Sequence, residues 1–165
     1  VLALISNPKI VFLDELTTGL DPGSRREIWS YIKQLQNEGR TIVMTTHYME
    51  EASFLCDQIC LISQGAIVAA GTVDEVIAEA QIDLVIAFET DSDVRLLLSA
   101  LPHYGQIVLQ DSLVHVYTHS EQTLTDLVLA LHEAQVAYRK ITITYPQLEE
   151  AFLKLVNPAQ KGAVS

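Results

Sequence analysis

Three side chains set the chemistry to look for. Asp14 and Glu15 stand side by side at the end of Ile10-Val11-Phe12-Leu13-Asp14-Glu15, and His47 closes Thr41-Ile42-Val43-Met44-Thr45-Thr46-His47. An apolar run that ends in acids reads as a buried strand delivering carboxylates to its C-terminal edge. Strands of parallel sheets are buried on both faces, so their apolar runs are continuous and do not alternate. Ligands of such sheets bind outside the carboxyl ends of the strands. An acid placed there can coordinate a Mg²⁺ that bridges nucleotide phosphates. A second acid can orient and activate an attacking water. An imidazole can donate to the terminal phosphate as charge develops on it.

Those residues need elements that bring them together. Asp21-Pro22 reads as a helix start, an N-cap acid followed by proline at the first helical position. Ile28, Ile32 and Leu35 recur at helical spacing, and Gly39 stops the helix. Thr41 to Thr46 reads as a second buried strand. Strand, helix and strand in this order form a right-handed βαβ unit with parallel strands. Both strand ends then lie on one side of the sheet, which lets Asp14, Glu15 and His47 converge. Beyond them, Tyr48 to Cys56 reads as a short helix and Ile59 to Ser63 as a third strand. Gln64-Gly65 is a turn, and Ala66 to Ala70 is its hairpin partner. Thr72 and Glu75 form a capping box that opens a helix running through Ala80.

The stretch from Ile10 to Gly71 resembles the C-terminal half of an ABC transporter ATPase domain. Asp14 matches the Walker-B aspartate and Glu15 the catalytic glutamate. Thr17-Thr18-Gly19-Leu20-Asp21-Pro22 resembles the D-loop, and His47 in Thr-Thr-His-Tyr-Met-Glu-Glu-Ala resembles the switch histidine. Cys56-Asp57-Gln58-Ile59 and Gln64 to Thr72 resemble the closing hairpin. Four motifs agree in order, spacing and identity. One departure is Leu16, where the family usually has proline; it relaxes a backbone restriction between Glu15 and the loop. The resemblance implies that Asp14 holds Mg²⁺, that Glu15 is the base, and that His47 contacts the γ-phosphate. It further implies that Gly19, Leu20 and Asp21 reach across a dimer interface to the opposite ATP. Each residue also has a plainer role available: strand-end acids for Asp14 and Glu15, a helix N-cap for Asp21, and a polar helix start for His47. The constellation favours the functional reading, and the N-cap role of Asp21 is compatible with it.

No G-x-x-x-x-G-K-[ST] phosphate loop occurs in the 165 residues. The glutamine loop and the signature motif of the family are absent as well. Val1 to Ile5 and Ser6-Asn7-Pro8 resemble the helix end and turn that precede Walker B, and the first residue is Val. The expectation is a fragment starting just after the signature motif and inactive alone.

After Gln81 the pattern restarts. Asp83 to Glu89 reads as a strand. Asp91 to Leu101 reads as a helix with Val94, Leu97, Leu98 and Leu101 on one face, ended by Pro102. Gly105 to Gln110 and Leu113 to Thr118 form a hairpin around Asp111-Ser112. Ser120 opens a helix with Leu124, Leu127, Val128 and Leu131 at core spacing. Ala137 to Thr144 is a strand, and Pro146 starts a last helix, Gln147 to Val156. The order β-α-β-β-α-β is ferredoxin-like. Tyr145 to Leu155 is similar to the end of exporter-type ABC ATPases of the drug and polysaccharide branch, which carry a small accessory domain. The fold expected is α/β: the C-terminal part of a P-loop NTPase domain over residues 1–81, then an α+β ferredoxin-like accessory domain over 82–156. A frayed tail, 157–165, follows.

Composition narrows the functions. Hydrophobic residues make up 49% of the chain, enough for a real core. No apolar run is long enough to cross a bilayer and no signal-peptide pattern occurs. Lys plus Arg number 10 against 21 Asp plus Glu, a net charge of −11 that disfavours nucleic acid and anionic lipid as direct partners. Cys56 and Cys60 supply too few ligands for a structural zinc site, and read as small residues at a helix end and on a strand in a reducing cytosol. His103, His115, His119 and His132 are scattered. His115 and His119 fall on one strand face but lack a nearby carboxylate in sequence, so they read as surface or core-edge residues. Leu97, Leu98, Leu127 and Leu131 read as core in preference to a partner groove.

The leading expectation is the energy-coupling subunit of an exporter. It would be cytoplasmic and peripheral on the inner face of the membrane, paired with a second ATPase subunit and a multispanning permease, with ATP and Mg²⁺ as cofactors. The alternatives are a ribosome- or nucleic-acid-associated ATPase with the same core, and a regulatory module whose second half binds a small ligand.

Overall fold

The computed structural model describes residues 7–101 and 104–157. The expected helix end at Val1 to Ile5, residue Ser6, the helix stop at Pro102, His103 and the tail beyond Asn157 lie outside the described residues. Two compact units divide the chain in sequence between Val76 and Ile77.

In the first unit, β1 (Ile10–Asp14) pairs in parallel with β2 (Thr41–Thr45), with Asp14 opposite Thr45. Helix α1 (Pro22–Asn37) connects them. Its start follows the sequence signal: Asp21 accepts from the amides of Gly23 and Ser24 at 2.9 and 3.1 Å. Its end does too: Gly39 takes φ 83°, the left-handed conformation that closes a helix, and its amide bonds to the Gln36 carbonyl at 2.8 Å. Helix α2 (Met49–Leu55) follows β2, and β3 (Ile59–Ser63) and β4 (Ala66–Gly71) form an antiparallel hairpin. Gln64 and Gly65 both have positive φ, which matches the twist a two-residue hairpin turn needs. The Thr72–Glu75 capping box at the start of α3 (Val73–Glu79) is formed in both directions, at 2.8 and 3.2 Å.

The core of this unit lies between α1, α2 and one face of the β1–β2 pair. Trp29, Ile32 and Leu55 are buried, with Leu13, Ile28, Ile42, Met44 and Cys56 packed against them. This corrects the expectation of a strand buried on both faces. Val11 is buried, but Ile10 is 55% exposed, Phe12 75% and Val43 46%. The continuous apolar run is real, yet among the described residues nothing covers its outer face.

In the second unit the elements run β5 (Leu84–Glu89), α4 (Arg95–Ser99), β6 (Tyr104–Gln110), β7 (Leu113–Thr118), α5 (Gln122–Glu133), β8 (Arg139–Thr144) and α6 (Leu148–Val156). Four strands make one antiparallel sheet in the order β6-β7-β5-β8. Leu84, Ile86 and Phe88 alternate inward from β5, and Val114 and Val116 from β7. Leu98, Leu127 and Leu131 are fully buried against them and Leu97 packs at their edge, so the leucines are core.

Two expectations shift here. Helix α4 begins at Arg95, not Asp91, because side chains claim the preceding amides. Thr90 Oγ1 accepts the Ser92 amide and Asp93 Oδ1 the Arg95 amide, each at 3.2 Å. His119 lies beyond the end of β7, so it does not share a strand face with His115. Its Nδ1 sits 3.2 Å from Asp83 Oδ1, a carboxylate distant in sequence.

Leu127→Ala should therefore cost about 3 kcal/mol of unfolding free energy, from lost transfer energy and the cavity left behind. Phe12→Thr, at an exposed position, should leave the urea midpoint nearly unchanged. Equal shifts for the two variants would contradict this assignment of core and surface.

Candidate functional site

The parallel register carries Asp14 and Thr45 to the same strand end and the same outward face. Thr45 Oγ1 donates to Asp14 Oδ1, which fixes that carboxylate while leaving it exposed. The Glu15 amide extends the ladder by one step, donating to the Thr45 carbonyl at 3.0 Å. Glu15 then leaves the strand with φ 42°, an uncommon left-handed conformation for a residue with a side chain. Strained backbone of this kind clusters at functional sites.

The turn aims the Glu15 carboxylate at two neighbours. Oε2 accepts from Thr18 Oγ1 at 3.3 Å, and Oε1 lies 3.2 Å from Nδ1 of His47. Both side chains of that pair are about half exposed, at 50% for Glu15 and 53% for His47. His47 is held by the turn after β2, where Thr46 Oγ1 accepts the Tyr48 amide at 3.0 Å. Its ring packs on that of Tyr48, with centroids 4.2 Å apart. The fold thus brings Glu15 and His47 into contact and sets Asp14 next to Glu15 at the same strand end.

The loop of Gly19, Leu20 and Asp21 follows directly on Thr18, whose hydroxyl reaches Glu15. Gly19 takes φ 80° with open space around its Cα, and the Leu20 amide closes a turn on the Thr17 carbonyl at 3.2 Å. Asp21 caps α1 and also accepts from the Ser24 hydroxyl at 2.6 Å. Within this chain the three residues make a turn and a cap, leaving Gly19 and Asp21 exposed.

Two contributing residues lie inside the matched switch-histidine stretch but were given no role of their own. The contact of Thr45 with Asp14 follows from the strand register. Glu51 is buried between Thr17 and Trp29, accepting 2.8 Å bonds from both side chains. Its helical phase was the available signal, since Glu51 shares the inward stripe of α2 with Leu55. Cys56 caps the end of α2 half-buried, and burial foremost, then the Glu51 charge, pushes its thiol above the ordinary value. Cys60 on β3 is exposed.

Three curated relatives align over 93% of the chain. A daunorubicin resistance ATP-binding protein of Streptomyces coeruleorubidus is 36% identical over 156 residues, 49% of its own length. A linearmycin resistance ATP-binding protein of Bacillus subtilis is 31% identical over 159 residues, 51% of its length. A Nod factor export ATP-binding protein I of Rhizobium leguminosarum is 33% identical over 153 residues, 48% of its length. Residues 1–52 also match the family described as "AAA domain, putative AbiEii toxin, Type IV TA system". By these relatives the chain belongs to the ATP-binding proteins of ABC transporters. It spans about half the length of the curated relatives it matches.

The Asp21 carboxyl is held below the usual carboxylate range, foremost by the Ser24 hydroxyl and then by the Ser24 and Gly23 amides. A depressed carboxylate stabilises the fold above its unfolded value, and that contribution fades as pH falls through the folded one. On acidification, hydrogen-exchange protection of the Gly23 and Ser24 amides should drop before that of the α1 interior. Asp21→Ser should retain a cap but lose this pH step. An unchanged step in that variant would assign it to another group.

Proposed function

We propose that this chain supplies the Mg²⁺-holding acid and the hydrolytic base of an ATP site in the energy-coupling subunit of an exporter. The observation that carries the reading is the convergence of Asp14, Glu15 and His47 at the end of a parallel strand pair. The printed names of the relatives support it: two are resistance ATP-binding proteins and one is an export ATP-binding protein. The transported substrate is left to the membrane partner.

The residues fit the absent groups. Asp14 is exposed at the strand end with one oxygen bonded to Thr45, and Mg²⁺ usually keeps several waters and takes one or two carboxylates plus the substrate phosphates. Asp14 would hold it, steadied by Thr45. When bound, the ion neutralises charge on the phosphates. The work of this chain is then proton handling and positioning. Glu15 accepts the proton of the attacking water, and its left-handed backbone turns that carboxylate off the strand. His47 donates to the terminal phosphate, and its present contact with Glu15 keeps it beside the base. Gly19, Leu20 and Asp21 form the loop offered to a second ATPase subunit.

The wider setting follows the same reading. No helix among the described residues is long and apolar enough to cross a membrane. A multispanning permease would hold the subunit at the cytoplasmic face of the membrane. The net charge of −11 keeps nucleic acid out of the partner set. The second unit, with its β-α-β-β-α-β succession, serves as a ferredoxin-like accessory domain that braces or regulates the ATPase dimer. On this reading the boundary is put at residues 81 and 82, just after α3 and a few residues beyond the division between Val76 and Ile77.

In a full-length protein carrying this segment, Glu15→Gln should abolish turnover while ATP still binds, because the amide keeps the shape and removes the proton acceptor. His47→Ala should slow turnover about 100-fold. The 165-residue chain by itself should not turn ATP over, since it contains no phosphate loop. Near-wild-type turnover of the Glu15→Gln protein would remove Glu15 from the role of base.

Limited proteolysis of the chain tests the domain proposal separately. A resistant piece beginning close to residue 82 is expected. A resistant first half with a digested second half would reverse it.

A further inference from the structure

Glu51 is 1% exposed, and among the described residues it is the one buried side chain that carries a charge group. Its Oε1 accepts from the Thr17 hydroxyl and from the Trp29 indole, both at 2.8 Å. Its Oε2 is buried with no hydrogen-bond partner among the described residues. Burying a carboxylate is costly, and well-packed apolar side chains often stabilise a fold as well or better. What this carboxylate does is join particular elements. Thr17 opens the loop that runs to Asp21. Trp29 lies in the middle of α1. Glu51 sits in the first turn of α2, just after His47.

A second contact joins the same parts independently. Arg25, one turn before Trp29 on α1, lays its guanidinium 4.0 Å from the centroid of the Tyr48 ring. Tyr48 in turn packs on His47. Helix α1 therefore grips the His47 segment twice, once through a ring and once through a buried acid. The acid alone also reaches the loop.

We infer that Glu51 is a positioning residue that ties the loop of residues 17–21 and the segment bearing His47 to one face of α1, so that the two move as one body. A displacement of the loop then reaches His47 through Thr17, Glu51 and α2, without passing through Asp14 or Glu15. Both bonds converge on a single oxygen, so one acceptor joins the loop to α1. The consequence for turnover rests on the proposed ATPase reading; the mechanical coupling does not.

Two arms keep those apart. In the 165-residue chain, Thr17→Val keeps the shape and removes one donor. Hydrogen exchange should accelerate about tenfold at the Thr18 and Leu20 amides and also at the Tyr48 amide, with the interior of α1 unchanged. Glu51→Gln keeps one acceptor oxygen and should stay near wild type. Glu51→Ala should loosen both segments and shift the emission of Trp29, the single tryptophan of the chain. If Glu51→Ala does not fold, Thr17→Val carries the test. Acceleration confined to Thr18 and Leu20, with Tyr48 untouched, overturns the coupling. In a full-length protein carrying this segment, Thr17→Val should lower kcat about tenfold at constant KM for ATP. Unchanged kcat, in a protein that Glu15→Gln inactivates, overturns the role in turnover. Full activity of the Glu15→Gln protein instead defeats the ATPase reading, and the exchange result then stands for Glu51 by itself.

Discussion

The parallel pairing of β1 with β2 is the constraint on which the site depends. Parallel strands need a crossover, and here the crossover is α1. Because the pairing sets Asp14 against Thr45, the residues that follow each strand emerge at the same edge, Glu15 one step on and His47 two. Glu15 and His47 then come within 3.2 Å although they belong to different strand ends. A slip by one residue would turn Asp14 into the α1 face and Leu13 outward. Val11, Leu13, Ile42 and Met44 on the inner face hold the register, since each needs the cover of α1. Packing on one face of the sheet thus fixes chemistry on its rim.

Much of this was legible in the sequence because each signal was local. The cap at Asp21-Pro22, the stop at Gly39, the Gln64-Gly65 turn and the Thr72–Glu75 box each depend on a few adjacent residues whose backbone preferences are strong. The inward leucines of α4 and α5 followed from helical period alone. The order and type of every described element could be read this way. The candidate residues Asp14, Glu15 and His47 were singled out by the resemblance of their motifs to the ABC ATPase family, and the contact of Glu15 with His47 was legible because parallel strand ends share an edge.

What escaped was non-local. Exposure of Phe12 and Val43 depends on which elements lie over the sheet, and an apolar run looks the same whether one face or both are covered. Thr45 matters through its register partner, which a linear pattern does not name. Glu51 stands beside the exposed Glu50, and only the helical phase separates a buried acid from a solvated one. The late start of α4 reflects competition by the side chains of Thr90 and Asp93 for amides that helical period alone would assign to the first turn.

The first unit also divides its stability in an unusual way. Its two-stranded sheet carries Phe12, Ile10 and Val43 on an open face, and a two-stranded sheet is marginal without a partner layer. Its order must come from the helical side. There Trp29 stacks on Phe54 at 5.3 Å, and Lys33 and Gln36 of α1 both donate to the Leu55 carbonyl at the end of α2. Those contacts, with Glu51 between Thr17 and Trp29, make α1 and α2 the rigid part of the unit. The strand ends are backed by that part, so helix packing behind the sheet supports the register that brings Glu15 and His47 together. Trp29 and Glu51, behind the sheet, thus back the strand ends at which the carboxylate and the imidazole meet.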